Sequence, residues 1–241
     1  MIAMSGLLGL FGNFDLQTFL IRILVLCISL SFHEMAHAWA AYRLGDDTAA
    51  LQGRLSLNPL VHLDPIGSIA FIIGGIGWAR PVPINPARFD RKYTLKKGIV
   101  LTSVAGPLSN LILATGSAFL YYVVLTIGAA TASSGAIITI LSDLLIMLYG
   151  ANVILAVFNL LPIPPLDGFK VFGAALPNAI YYRLMSYERY IGMVFLFIVL
   201  FFRGVLATIL PVIAWPFNQV IQKPLEWLFT WLWRWLGLIG S

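Results

Sequence analysis

The sequence predicts an all-α membrane protein with about four transmembrane helices, a re-entrant segment with a small β element, and an interfacial C-terminal helix. Three observations carry that expectation. Hydrophobic residues fill 60% of the 241 positions and charged residues 10%, with a mean hydropathy of +0.91, a balance that soluble domains of this length do not keep. The apolar residues are gathered into runs of about 20 or more, the length a helix needs to cross a bilayer. The basic residues lie between those runs rather than in one patch interleaved with stacking aromatics, which sets nucleic acid aside and leaves the lipid bilayer as the surrounding partner.

The first span is expected from about Leu16 to Leu44, stopping at Gly45, a residue suited to a helix C-cap and followed by Asp46 and Asp47. No Lys or Arg precedes Arg22 and no small-residue cleavage pattern follows, so this span is expected to stay in place rather than be removed as a signal peptide. The second span runs from about Gly98 to Gly128, the third from about Ala136 to Leu161, and the fourth from about Tyr190 to Pro211. Between the first two, the stretch from Ile66 to Trp78 is apolar but too short and glycine-rich to span. It reads as a re-entrant segment followed by an extended strand, a backbone tolerated at membrane depth only where protein or a water-filled cavity surrounds it. The tail "PFNQVIQKPLEWLFTWLWRWLGLIG" is rich in tryptophan and reads as an interfacial helix or aromatic-belt anchor. The single cysteine, Cys27, excludes an intrachain disulfide.

Lysine and arginine set the orientation. The connection from Arg43 to Lys97 carries eight (Arg43, Arg54, Arg80, Arg88, Arg91, Lys92, Lys96, Lys97) and that from Pro162 to Arg189 carries three, whereas Met1–Asp15 and Ala129–Gly135 carry none. Both basic connections are therefore expected on the cytoplasmic side, with the N-terminus outside. Lys223 and Arg234 fall on the outer side in this arrangement, and Arg203 near the middle of the fourth span fits it poorly.

The chemistry lies in "HEMAH". Residues four apart share one face of a helix, so His33 and His37 can present two imidazole nitrogens to one metal ion, with Glu34 beside them. Zinc suits two imidazoles plus a carboxylate, and an open fourth position brings a coordinated water to a pKa of about 7. The chain has three histidines and three glutamates, so chance placement yields such a motif with odds on the order of 10⁻³ or less. The third ligand must come from elsewhere. In "FNLLPIPPLDGFKV" a long apolar helix ends at Pro162, Pro164 and Pro165 and delivers Asp167 just before a glycine. The residues leave two readings of Asp167 open, a metal ligand or the N-cap of a short helix beginning near Gly168.

Taken together, "HEMAH", "NPLVHLDPIG", "GPLSN" and "NLLPIPPLDG" resemble, in order and spacing, the site-2 protease family of intramembrane zinc metalloproteases. The resemblance covers about Leu16 to Leu176, and the chain looks like a compact bacterial or archaeal member without a PDZ or nucleotide-binding domain. It implies that His33, His37 and Asp167 hold Zn²⁺ and that Glu34 is the general base. One domain is expected over residues 1–241, with the catalytic core at about 16–176 and accessory helices at about 177–241.

Other polar residues are candidates around this centre. Asn152 and Asn159 share one face of the third span, where an unpaired amide is costly. Asn152 is read as an interhelical hydrogen bond, and Asn159 as either that or a substrate contact. Gly106 and Asn110 share a face of the second span, first of all a packing device, with Asn110 also a candidate substrate contact. His62, between two turn signals, either contacts substrate or makes a plain loop hydrogen bond. In "GWARPVPINP", Pro81 and Pro83 remove donors from one side of an extended strand, while the Val82 and Ile84 N–H groups complete the other. That edge could bind an unwound substrate as an added strand, or could be an ordinary edge strand protected by proline.

The reading is an intramembrane zinc endopeptidase, in which Glu34 moves the proton, acting on membrane-protein substrates within transmembrane segments or at the bilayer edge, probable residence being the cell (inner) membrane. His33 lies 17 residues beyond Leu16, about 26 Å at ~1.5 Å per residue, which puts the centre nearer the cytoplasmic face. The alternative is a non-catalytic metal carrier or scaffold, which does not require Glu34 between its ligands. The sequence names neither the substrate, nor the trigger for cleavage, nor the oligomeric state.

Overall fold

The computed structural model describes residues 15–74, 77–131, 135–201 and 203–239. Helix α1 (Leu16–Arg43) starts on Asp15, whose carboxylate accepts the Gln17 and Thr18 amide protons at 3.1 and 3.0 Å, partners that the first turn of a helix otherwise lacks. It ends where Gly45 takes a φ of +103°, and a Cβ there would stand 2.9 Å from Asp90 Oδ1, so both conformation and space require glycine. Its buried face repeats every four residues through Ile21, Val25, Ser29, His33, His37 and Ala41. That stripe is apolar at its start and polar where the motif sits, which places the imidazoles against neighbouring helices instead of lipid.

A single turn, α2 (Thr48–Leu51), and a 3-10 turn at Pro59–Val61 lead to α3 (Pro65–Gly74). Two long helices follow, α4 (Leu95–Ala130) and α5 (Ala136–Asn159). The inner face of α4 also repeats every four residues, through Gly98, Thr102, Gly106, Asn110, Ala114, Ala118 and Tyr122, mostly small side chains that let α1 and α5 approach closely. Pro107 sits inside α4 without ending it. The apolar core lies where α1 meets α5 (Ile21, Val25, Leu148) and where α4 and α5 meet the C-terminal helix (Ala114, Ala118, Tyr149, Val153, Val157, Ala214). After α5 come α6 (Asp167–Gly173), α7 (Asn178–Ser186), α8 (Glu188–Phe201) and α9 (Arg203–Trp235).

Among the described residues, α1, α4 and α5 are the three helices long and apolar enough to cross a membrane. The fourth expected span, Tyr190–Pro211, falls on α8 and the start of α9, and residue 202 between them lies outside the described residues.

The small β element is also corrected. Among the described residues no strand forms, and the segment expected to be extended makes one isolated antiparallel bridge, Leu63 to Ala79. The expected re-entrant segment begins inside α3, and residues 75 and 76 lie outside the described residues. The tail expected as an interfacial helix or aromatic-belt anchor is helical as far as Trp235 and lies within α9. Helix α9 packs along α4 and α5, with Phe229 stacked on Tyr122 at 5.3 Å, Trp233 Nε1 donating to Thr126 Oγ1 at 2.6 Å, and the Tyr149 hydroxyl donating to Asn218 Oδ1 at 2.6 Å. Trp215, Trp227, Trp231 and Trp235 face outward from it. Of the segments used for orientation, residues 1–14 and 132–134 lie outside the described residues.

Candidate metal centre

Helix α1 brings His33 and His37 onto one face, and each ring is fixed from behind. His37 Nδ1 lies 2.7 Å from the carbonyl oxygen of Thr102, which can only accept, so Nδ1 carries the proton. His33 Nδ1 donates to Asn110 Oδ1 at 2.6 Å. Asn110 in turn donates to Asn152 Oδ1 at 2.7 Å, and Asn152 donates to Ser29 Oγ at 2.9 Å and to the Leu148 carbonyl at 2.8 Å. This buried chain of amides leaves one consistent orientation for each member. Both imidazoles therefore turn an Nε2 lone pair toward the space between α1, α4 and α6.

Asp167 enters that space from the other side. It is the first residue of α6 and makes no N-cap there, since the capping position is Leu166 and carries no side-chain bond. Its Oδ2 instead lies 3.3 Å from His33 Nε2 and 3.1 Å from His37 Nε2, while the two Nε2 atoms are 3.0 Å apart. Ligands at about 2.0–2.1 Å around a tetrahedral zinc stand about 3.3 Å from one another, so the triangle has the right size. Three electron-pair donors converge, and only a metal ion placed among them satisfies all three at once.

Two glycines make the convergence possible. A Cβ on Gly106 would stand 2.4 Å from His37 Nε2 and 2.6 Å from His33 Cε1, so α4 approaches the imidazoles as closely as it does because no side chain intervenes. A Cβ on Gly168 would stand 2.2 Å from the Leu160 carbonyl oxygen, so the start of α6 can fold back under the end of α5. Lys96 then ties the far end of α6 to the start of α4, donating to the Ala174 and Leu176 carbonyls at 3.2 and 2.7 Å.

The remaining candidates are placed as follows. Glu34 is buried beside the triad, and its Oε2 accepts the Val82 N–H at 2.9 Å. The Val82 N–H is thus committed to Glu34 and is not a free edge for an incoming strand; the Ile84 side chain packs against Ala41, Leu44 and Phe89. Asn110 is fully buried behind His33 and is a hydrogen-bond partner of its imidazole. His62 is likewise fully buried, its Nε2 2.7 Å from the Ser56 carbonyl, the geometry of a loop hydrogen bond. Asn159 donates to the Leu155 carbonyl at 2.9 Å. Sequence reasoning missed Thr102, whose signal was its place four residues before Gly106 on the same face of α4.

The profile of "Peptidase family M50" matches residues 21–202, past Leu176 and through α8. The chain belongs to peptidase family M50, the site-2 protease family. It is 43% identical over 174 residues to "Putative zinc metalloprotease YwhC" of Bacillus subtilis, covering 72% of this chain and 77% of that protein. It is 32% identical over 156 residues to the Rip2 protein of Mycolicibacterium smegmatis, of the same description, covering 63% of this chain and 54% of that one. A Methanocaldococcus jannaschii protein, MJ0611, also of that description, is 27% identical over 161 residues, 67% of this chain and 73% of its own length. The chain thus spans about half the length of the mycobacterial relative. No solved structure matches it. With three apolar spans and this family, the chain is an integral membrane protein.

Proposed function

We propose that this chain is a single-domain intramembrane zinc endopeptidase that hydrolyses peptide bonds in or near transmembrane segments of other membrane proteins. The observation that carries the reading is the convergence of His33 Nε2, His37 Nε2 and Asp167 Oδ2 beside Glu34, with both histidines and the glutamate on a helix apolar enough to cross a bilayer. His33, His37 and Asp167 hold the ion. Zinc bound there supplies Lewis acidity to the scissile carbonyl and to the attacking water. Glu34 takes the proton from that water and returns it to the leaving amine, and its bond to the Val82 N–H keeps the carboxylate from rotating away. Asn110 and the Thr102 carbonyl keep the imidazoles in the tautomer that leaves Nε2 free. The excess of basic residues in the connections that follow α1 and α5 supports a centre nearer the cytoplasmic side of the cell membrane, with water arriving from that side.

Ligands and base have separable jobs, and that gives the test. Glu34→Gln keeps size and hydrogen bonding but cannot accept the proton, so it is expected to retain about one zinc per chain and to lose cleavage by about 10² or more. The assay is co-expression with a panel of tagged single-span membrane proteins, scored for fragments, alongside metal analysis of the purified protein. Fragments undiminished in Glu34→Gln would sink the protease reading and favour a metal carrier or scaffold.

A further inference from the structure

Arg54 lies in the loop after α2, outside the metal centre, and is nevertheless only 6% exposed. A buried guanidinium needs partners, and Arg54 finds them on the segment that passes Glu34. Its Nη2 donates to the carbonyl oxygen of Arg80 and, at 3.3 Å, to that of Pro81. The Pro81 carbonyl and the Val82 N–H are the two ends of one planar peptide unit. That N–H donates to Glu34 Oε2 at 2.9 Å. A cation, one peptide group and the Glu34 carboxylate therefore stand in series.

The Val82 side chain is anchored in a small apolar cluster with Ala38, Ala49 and Leu55, but packing of a side chain does not by itself set the tilt of the peptide plane before it. The segment makes no strand ladder; its bridge is at Ala79, the Arg80 N–H donates to the His62 carbonyl at 2.7 Å, and its far end is held by the Asn85 N–H on Asp46 Oδ2 at 2.6 Å. Between these holds, the guanidinium fixes the peptide plane that aims at Glu34. Burial lowers the Arg54 pKa and the charge of Glu34 counteracts it, in keeping with two groups close enough to feel each other.

We propose that Arg54 is a positioning residue for the general base, holding the Pro81–Val82 peptide so that its N–H fixes the Glu34 carboxylate at the metal centre. This rests on the protease reading. A proton-transfer group displaced by about 1 Å loses on the order of 10² in rate while substrate binding, made elsewhere, is spared.

The test uses the full-length protein in detergent, with Arg54→Met and Arg54→Lys beside the unsubstituted protein, and a substrate that the latter cleaves. Arg54→Met is expected to lower kcat by about 30- to 100-fold with KM changed by less than about threefold and zinc still near one per chain. Arg54→Lys keeps a cationic donor to the same carbonyls and is expected to recover to within about fivefold of the original kcat. Val82→Pro removes the relaying N–H, so its loss and that of Arg54→Met should not multiply in the double variant. Deuterium uptake supplies a readout that needs no turnover: the peptide containing Val82 should exchange faster in Arg54→Met and return toward the original rate in Arg54→Lys. Unchanged uptake, an effect on KM in place of kcat, or loss of zinc in both Arg54 variants would overturn the inference. Absence of Glu34-dependent cleavage in the unsubstituted protein, with the uptake pattern as expected, would overturn the protease reading alone.

Discussion

Gly106→Ala adds one methyl group to α4 at the point where it faces the two imidazoles. Ordinary contact begins at about 3.4 Å, and the new Cβ would stand 2.4 Å from His37 Nε2, so about 1 Å has to be found. The rings cannot swing aside freely, because His33 Nδ1 is held on Asn110 at 2.6 Å and His37 Nδ1 on the Thr102 carbonyl at 2.7 Å. Either α4 moves outward, or one imidazole gives up its bond and turns its lone pair off the centre. Overpacking of this kind costs about 1–3 kcal/mol. If that strain is relieved at the metal ligands, zinc affinity falls by roughly 10- to 100-fold, the range also associated with loss of a bond behind a metal-bound histidine. Competition with a chromophoric chelator measures it. Gly116→Ala on the same helix is the control, since nothing lies within 4 Å of its Cβ, and its zinc affinity should be unchanged. Equal zinc affinity in Gly106→Ala and the unsubstituted protein would refute the reasoning, because the close approach of α4 would then have no bearing on the site.

Other outcomes follow from the same contacts. Asn110→Ala removes the acceptor behind His33 and leaves Asn152 without its donor, so zinc affinity should fall about 10- to 100-fold by the same chelator assay while Asn159→Ala leaves it unchanged. Trp233→Phe keeps one aromatic ring but deletes the indole N–H bond to Thr126 together with part of the packed indole surface, and should lower stability by about 1 kcal/mol or more in a thermal melt of the detergent-solubilised protein, with zinc content unaffected. With Cys27 replaced, a single cysteine at Ala87 should resist a membrane-impermeant thiol reagent on intact cells while one at Ser133 is labelled, and the reverse pattern would invert the orientation.

The "HEMAH" run and its apolar setting were enough to pair His33 with His37 and to put Glu34 beside them, because helix periodicity is a local property that needs no partner chain segment. The three long spans were legible to within a few residues for the same reason, as was the stop at Gly45. The tertiary structure decided what local rules leave open. Asp167 could have capped its own helix; the fold of α5 and α6 around Gly168 carries it to the imidazoles instead. Val82 presented one N–H among an extended row, and only the crossing of that segment over α1 commits it to Glu34. The docking of α9 on Tyr122 and Tyr149 was hidden because an apolar run spells burial or lipid contact without saying which neighbour it meets. Composition and period fix which residues leave water and which face they share; distances between residues far apart in the chain depend on helix packing, and that is where the ligand triangle, the amide chain behind His33 and the Arg54 contacts were set.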